Sequence, residues 1–173
     1  AGVSVTTGPI TGLALTAGTS GNALVVTADN NYIGATLANL TNSGSLTADY
    51  PVYVAAGGSL GALANSGTLG GSIAAIYNEG MLGPIANTGV IAGNIQNVSA
   101  QDLTFTGASG TDMGTLTGQG RARGTINNTG GNVVFASGNL LLNDDVAATG
   151  VANSGAVLTL QNSAAITGNF SQT

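Results

Sequence analysis

The acidic pair Asp144 and Asp145, in the segment LLNDDVA, is the closest that this sequence comes to a catalytic arrangement. Two carboxyl groups that face each other across a cleft can act as general acid and base, or can bind a metal ion. Adjacent residues do not oppose each other in this way, and Asn-Asp-Asp is ordinary turn chemistry. The sequence therefore favours a corner turn at this pair, with an acid or metal-binding role as the alternative.

Arg121 and Arg123 are the only cations of the chain, which has no Lys and no His. Alternate residues of a strand share a face, so the two arginines could form a small contact point for an anion. The other interpretation is a solvated loop pair that meets Asp102 or Asp112. The second interpretation is favoured, because the surrounding segment is rich in glycine.

The missing residue types exclude several functions. Without Cys and His the chain has neither thiolates nor imidazoles for metal binding or general-base catalysis. A net charge of −5 does not suit binding to nucleic acid, and polar residues interrupt every apolar run well before the length of a membrane span. We therefore expect a non-enzyme with no catalytic residue, cofactor or metal site. We also expect no nucleic-acid partner and no transmembrane segment in this fragment.

The composition indicates a folded chain with a thin core. Hydrophobic residues make up 43% of the sequence, charged residues only 5%, and there are 29 glycines among 173 residues. Disordered chains combine low hydrophobicity with high net charge, which is not the case here. Tyrosines are favoured at binding interfaces, so the four tyrosines are the best candidates for exposed contact residues, although each could equally cap an edge of the core: Tyr32, Tyr50, Tyr53 and Tyr77.

An Asn-x-Gly motif recurs along most of the chain. Following the turn glycine gives Gly21, Gly44, Gly67, Gly89, Gly110, Gly130 and Gly155, at steps of 20 to 25 residues, with Asn two positions earlier except at Thr19 and Ala108. Asn and Gly suit turns, Gly because it adopts positive φ without strain. A period near 22 with turn residues indicates stacked structural repeats. We predict that one ladder of turn residues, with side-chain amides bonded from coil to coil, consists of Asn42, Asn65, Asn87, Asn128, Asn153, Gly44, Gly67, Gly89, Gly130 and Gly155.

Short runs of Val, Leu, Ile and Thr between these turns predict strands, so the chain is expected to be an all-β, parallel β-solenoid with about 22 residues per coil. One domain is predicted over 1–173, with a less regular loop region around 107–124. Residues two positions after the turn glycine should fill a lumen too narrow for large aromatic side chains: Leu46, Leu69, Ile91 and Val157. Because solenoid ends expose strand edges, we expect the first residues to cap the coil, or the chain to pack end to end.

Four segments carry a family resemblance: LTNSGSLTA (40–48), LANSGTLGGSIAAIYNEGMLGPIANTGVIAGNIQN (63–97), GTINNTGGNVVFASGNLLLND (124–144) and ANSGAVLTLQNSAAITGNFSQT (152–173). They resemble the Asn-x-Gly-x-Ile repeats of passenger domains of type V autotransporters from Gram-negative bacteria, in the class of large repeat adhesins. The resemblance covers most of the chain from residue 40 onward. It implies a right-handed parallel β-helix.

The same resemblance implies that the chain is a virulence-associated passenger segment, secreted across the outer membrane to the bacterial cell surface. The function it implies is adhesion to host extracellular matrix or to a cell-surface molecule, or self-association with identical passengers on neighbouring cells. Two alternatives remain open: a β-helical carbohydrate-active enzyme, and a purely structural spacer stalk.

Overall fold

Short β-strands make up most of the described chain. The structure is a computed structural model and describes residues 4–5, 13–17, 25–26, 30–33 and 36–173. Within these residues there is no α-helix and one 3-10 helix, η1 (Gln119–Arg121). The strands are β1 (Ser4–Val5), β2 (Leu13–Ala17), β3 (Val25–Val26), β4 (Asn30–Ile33), β5 (Thr36–Asn42), β6 (Ser45–Ala48), β7 (Tyr50–Val54), β8 (Ser59–Asn65), β9 (Thr68–Gly71), β10 (Ile76–Asn78), β11 (Met81–Leu82), β12 (Ile85–Asn87), β13 (Val90–Ala92), β14 (Ile95–Asn97), β15 (Leu103–Thr106), β16 (Gly114–Thr117), β17 (Gly124–Leu142), β18 (Asp144–Asn153), β19 (Ala156–Leu160) and β20 (Ile166–Gln172).

The strands stack in three parallel runs, one on each side of a coil. The first face contains β4, β7, β10 and β14, the second β5, β8, β12 and β15, and the third β6, β9, β13 and β16. The long strand β17 then pairs with β14, β15 and β16 in turn, so it follows all three faces. The chain is a β-solenoid of about six turns with coils of about 22 residues, which confirms the predicted fold.

Aliphatic side chains fill the inside of the coils. Leu46, Leu69 and Ile91 occupy equivalent positions in β6, β9 and β13, and all three are buried as predicted. The prediction for Val157 is wrong, because its side chain is 59% exposed. Val157 pairs with Asn139, and the pleat instead turns its neighbour Ala156 inward.

The lumen holds aromatic residues, contrary to the prediction. Phe105 and Phe135 lie opposite each other in β15 and β17, are fully buried, and stack with ring centroids 5.8 Å apart. The strand pairing shifts its register directly after them, between Phe105 and Thr106. A bulge adds a residue to one strand and bends it, so the coil accommodates the two rings by a local irregularity.

The predicted irregular region lies between β15 and β17. Ile95 pairs with Ile126, an offset of 31 residues, whereas Ile76 pairs with Ile95 at an offset of 19. The extra residues form a loop between β15 and β16 and the turn that contains η1. Gly110 lies in that loop, and the pairing of Val90 with Thr115 puts Gly114 in the position equivalent to Gly89, so the place of Gly110 in the predicted series was wrong.

Close stacking explains two of the repeated glycines. A Cβ added to Gly67 would lie 2.0 Å from the carbonyl oxygen of Gly44, and one added to Gly89 would lie 2.1 Å from that of Gly67. Neither Gly67 nor Gly89 has a positive φ, whereas Gly155 does, at 143°. At Gly67 and Gly89 the prediction that glycine provides a positive φ was therefore wrong. Glycine is needed because the preceding coil passes too close for a side chain.

The first residues cover the first and second faces at one edge of the solenoid, which agrees in part with one of the two end predictions. Strand β2 pairs antiparallel with β5, and β3 pairs antiparallel with β4, while the coils themselves are parallel. The predicted corner at Gly21 lies outside the described residues. At the other edge, β19 and β20 each pair with a single strand among the described residues.

Candidate functional site

An amide ladder runs along the corner between the second and third faces. Asn42 donates from its Nδ2 to the Oδ1 of Asn65 at 2.8 Å, and Asn65 donates in the same way to Asn87 at 2.9 Å. The three side chains are at most 1% exposed. Buried amides need partners, and Asn65 finds them in the ladder residues of the coils on both sides, while Asn42 and Asn65 also donate to backbone carbonyl oxygens of the following coil. These three predicted residues are therefore vertical neighbours.

Asn128 belongs to a different ladder, so the prediction of one continuous series was wrong. Asn78 donates to Asn97 at 2.7 Å and Asn97 donates to Asn128 at 2.8 Å, along the corner between the first and second faces. Asn153 pairs with Phe135 in β17 and donates to Gln172 at 2.9 Å. The Asn-x-Gly motif at 78–80 could have revealed this second ladder. It lies between Asn65 and Asn87 and therefore marks a second corner of the same coil.

The corner that follows the third face also carries a ladder of side-chain hydrogen bonds, which was not predicted from the sequence. Asn162 donates to the Oδ1 of Asn143 at 2.9 Å, and Asn143 donates to the Oγ1 of Thr117 at 2.9 Å. Asn143 also donates to the carbonyl oxygens of Arg121 and Ala122 at 3.1 Å. These corner residues fix the coils relative to one another, so the surfaces between them are held rigidly.

Three tyrosines form a cluster on the outside of the first face. Tyr53 and Tyr77 are paired in β7 and β10 and stack with centroids 5.1 Å apart, and Tyr50 lies edge-on to each at 5.7 Å. All three side chains are partly exposed. The hydroxyl of Tyr53 donates to Oε2 of Glu79 at 3.0 Å. Tyr50, Tyr53 and Tyr77 are called the tyrosine surface below.

The sheet also places Tyr32 opposite Tyr53 in the pairing of β4 with β7, although the side chain of Tyr32 lies outside the described residues. On the other side, Gln96 pairs with Tyr77. Tyrosine offers a large amphipathic contact area with few rotatable bonds, and mutual ring packing restricts it further. The tyrosine surface is therefore ordered before any partner arrives, which lowers the entropic cost of binding.

The two arginines do not share a surface. The Nε of Arg123 lies 3.4 Å from Oδ2 of Asp145, and Arg123 also donates to the carbonyl oxygen of Ser163. The predicted loop placement is therefore right for Arg123, but its acidic partner is neither Asp102 nor Asp112. Arg121 lies in η1, where its φ of 64° is unusual for a residue with a side chain.

Arg121 lines a cleft of about 150 Å³ on the outside of the third face, which we call the arginine cleft. The turn that contains η1 lies beside β13 here. Asn143 and the hydroxyl of Thr117 hold this turn from below through its carbonyl oxygens. The other lining residues combine aliphatic and polar side chains: Val90, Thr115, Leu141 and Gln161.

The prediction of a corner turn at Asp144 was wrong. Asp144 is a fully buried residue of β18. Its Oδ1 accepts a hydrogen bond from the amide of Gly124 at 3.0 Å, and its Oδ2 has no partner. Burial raises the pKa of Asp144 to about 7, and the neighbouring charge of Asp145 adds to the rise. The amide of Gly124 acts in the opposite direction. A carboxyl group enclosed in this way cannot reach a substrate outside the coil.

The described residues offer neither a metal site nor a membrane-spanning helix. No three acidic residues lie close enough together there to hold a metal ion. Nor does this part of the chain contain a helix with the length and hydrophobicity needed to cross a membrane.

Comparison with protein-family models, with curated proteins and with solved structures found no match to this chain.

Proposed function

We propose that this chain is a non-catalytic binding segment of a surface-displayed β-solenoid, in the class of autotransporter adhesin passengers. Its partner is a molecule of the host matrix or host cell surface, or an identical segment on a neighbouring cell. The observation that carries the proposal is the tyrosine surface, an ordered and partly exposed aromatic cluster on one side of the rod. Aromatic residues of this kind provide most of the binding energy at many interfaces.

The rest of the rod supports a binding role. Residues on the outer sides of β5 and β6, such as Thr41, Ser45 and Thr47, are small, polar and exposed. A side chain that contributes little to binding still helps to exclude water around an aromatic centre. The enzyme alternative would need acid groups that a substrate can reach, and the carboxyl group with the raised pKa is enclosed in β18.

Display of the 173-residue chain on non-adherent bacteria tests the proposal. The cells are assayed for clumping and for attachment to surfaces coated with matrix proteins. Replacing Tyr50, Tyr53 and Tyr77 together by serine should lower attachment or clumping about tenfold or more, since aromatic anchors at an interface are worth about 2 kcal/mol or more each. Surface expression of both forms is compared by antibody labelling.

The matched control replaces Ser45 and Thr47, exposed on β6 of the third face, by alanine. This variant should attach as the unaltered chain does. Equal attachment by the tyrosine variant would remove the tyrosine surface from the proposal. A displayed chain that neither clumps cells nor binds any matrix protein would instead favour the spacer alternative.

A further inference from the structure

The arginine cleft contains a positive charge, that of Arg121, in an acidic protein. Arg121 and Arg123 are the only cations in a chain of net charge −5, and Arg123 is paired with Asp145. Arg121 has no ion-pair partner among the described residues. A guanidinium group presents a planar fork of donors that fits a carboxylate with two parallel hydrogen bonds.

The backbone around Arg121 is held in an unfavourable conformation. Gly120 and Arg121 both have a φ of 64°, a region that glycine tolerates and arginine rarely adopts. The side-chain amide of Asn143 binds the carbonyl oxygens of Arg121 and Ala122, and the hydroxyl of Thr117 binds that of Ala122. Backbone strain that a buried network maintains is typical of binding sites, because it fixes the position of the side chain that it carries.

The other side chains that line the cleft indicate the chemistry of the rest of the ligand. Val90 and Leu141 supply aliphatic surface, whereas Thr115 and Gln161 supply a hydroxyl and an amide. A volume of about 150 Å³ corresponds to about five molecules of liquid water, which is the size of one small ring. Apolar walls with a few polar groups suit a compact ligand that has both C–H faces and hydroxyl groups.

We propose that the arginine cleft binds the carboxylate of a single sugar acid, a uronic acid residue at a surface-exposed position of a glycan. The carboxylate pairs with the guanidinium of Arg121, the ring lies against Val90 and Leu141, and its hydroxyls bind Thr115 and Gln161. A monoanion fits better than a phosphate, because one guanidinium balances one charge and the net negative charge of the chain repels a dianion more strongly. This site is separate from the tyrosine surface and stands or fails independently of it.

Titrations with glucuronate, glucose, acetate and inorganic phosphate test the proposal, followed by the NMR shifts of the amides of Thr115, Arg121 and Gln161. Glucuronate should shift these three amides, while the other probes should bind about tenfold more weakly or not at all. Raising the salt concentration should weaken glucuronate binding, since the pairing is electrostatic and exposed.

Two matched variants assign the effect to one side chain. R121Q should weaken glucuronate binding about tenfold or more, whereas R123Q should change it less than about twofold. R121G also removes the guanidinium but relieves the positive φ, so it should keep the fold and still lose binding. The proposal is overturned if glucuronate shifts none of these amides, or if R121Q and R123Q have equal effects. Equal binding of glucose or acetate overturns the assignment to a sugar acid.

Discussion

Asp144→Asn is expected to make the solenoid more stable at pH 8 by up to about 4 kcal/mol, while leaving its stability near pH 4 almost unchanged. The carboxyl group of Asp144 is fully buried, its Oδ2 has no partner, and its pKa is raised to about 7 from 3.8. At alkaline pH the folded protein must therefore hold an unpaired buried charge. Asparagine keeps the acceptor for the amide of Gly124 and carries no charge.

The direction of the pH dependence follows from proton binding. Between about pH 4 and pH 7 the folded state holds a proton on Asp144 that the unfolded state has already released. The contribution of Asp144 is therefore most favourable below about pH 4, is lost as the pH rises through about 7, and is constant above that. Asp144→Asn lacks this loss of stability. The difference between the two proteins in the free energy of unfolding therefore grows between about pH 4 and pH 7.

Urea unfolding at several pH values between 4 and 8 measures this difference. The control is Asp112→Asn, an exposed loop residue whose replacement removes the same charge without a burial cost. It should change the free energy of unfolding by less than about 0.5 kcal/mol at any pH. An advantage of Asp144→Asn that is the same at pH 4 and pH 8 would mean that the buried carboxyl does not titrate in this range.

Asn65→Ala is expected to lower the free energy of unfolding by about 2–5 kcal/mol, through lost hydrogen bonds and a cavity. Asn65 lies in the middle of its ladder, where it accepts from Asn42 and donates to Asn87 and to the carbonyl oxygen of Val90 at 3.1 Å. Its removal takes one acceptor from Asn42, whose Nδ2 keeps the carbonyl oxygen of Thr68 at 3.0 Å, and leaves the buried Oδ1 of Asn87 without its side-chain donor. A buried group without a partner costs about 1–3 kcal/mol.

Asn39→Ala provides the matched control on the adjacent coil. Asn39 is exposed on β5, and the residue paired with it in the next coil is already alanine, Ala62. This change should cost less than about 0.5 kcal/mol. Hydrogen exchange should show faster opening in β8 and β12 of Asn65→Ala, because repeat proteins lose stability locally. Equal destabilisation by the two substitutions would show that the ladder contributes nothing particular.

Much of the fold is predictable because it repeats. A period near 22 can be read from Asn42, Asn65 and Asn87, and stacking requires equivalent residues to be neighbours. The inward orientation of Leu46 and Leu69 could be predicted because alternate residues of a strand face the same side of the sheet. Val157 was placed wrongly because a fixed count from the turn glycine fails when the corner takes a different backbone path, as at Gly155.

The candidate sites were less predictable, because they depend on which coils come together. Residue type was enough to identify Tyr50, Tyr53 and Tyr77 as candidate contact residues. Their mutual packing could not be predicted, because it depends on the register of β7 with β10. Arg121 and Arg123 are two positions apart, yet among the described residues only Arg123 pairs with an acid, since the turn at η1 separates them.

The sequence by itself determined the class of fold, the Asn and Gly residues at the corners, and the scarcity of residue types used in catalysis. All three follow from composition and period. Only the tertiary structure decided how the asparagines divide among three corners and that Asp144 faces inward. It also decided that Gly67 and Gly89 are required by the coil beside them rather than by their own dihedral angles. The physical reason is that coil lengths vary from place to place, and a shift of one residue exchanges the inside of a strand for the outside.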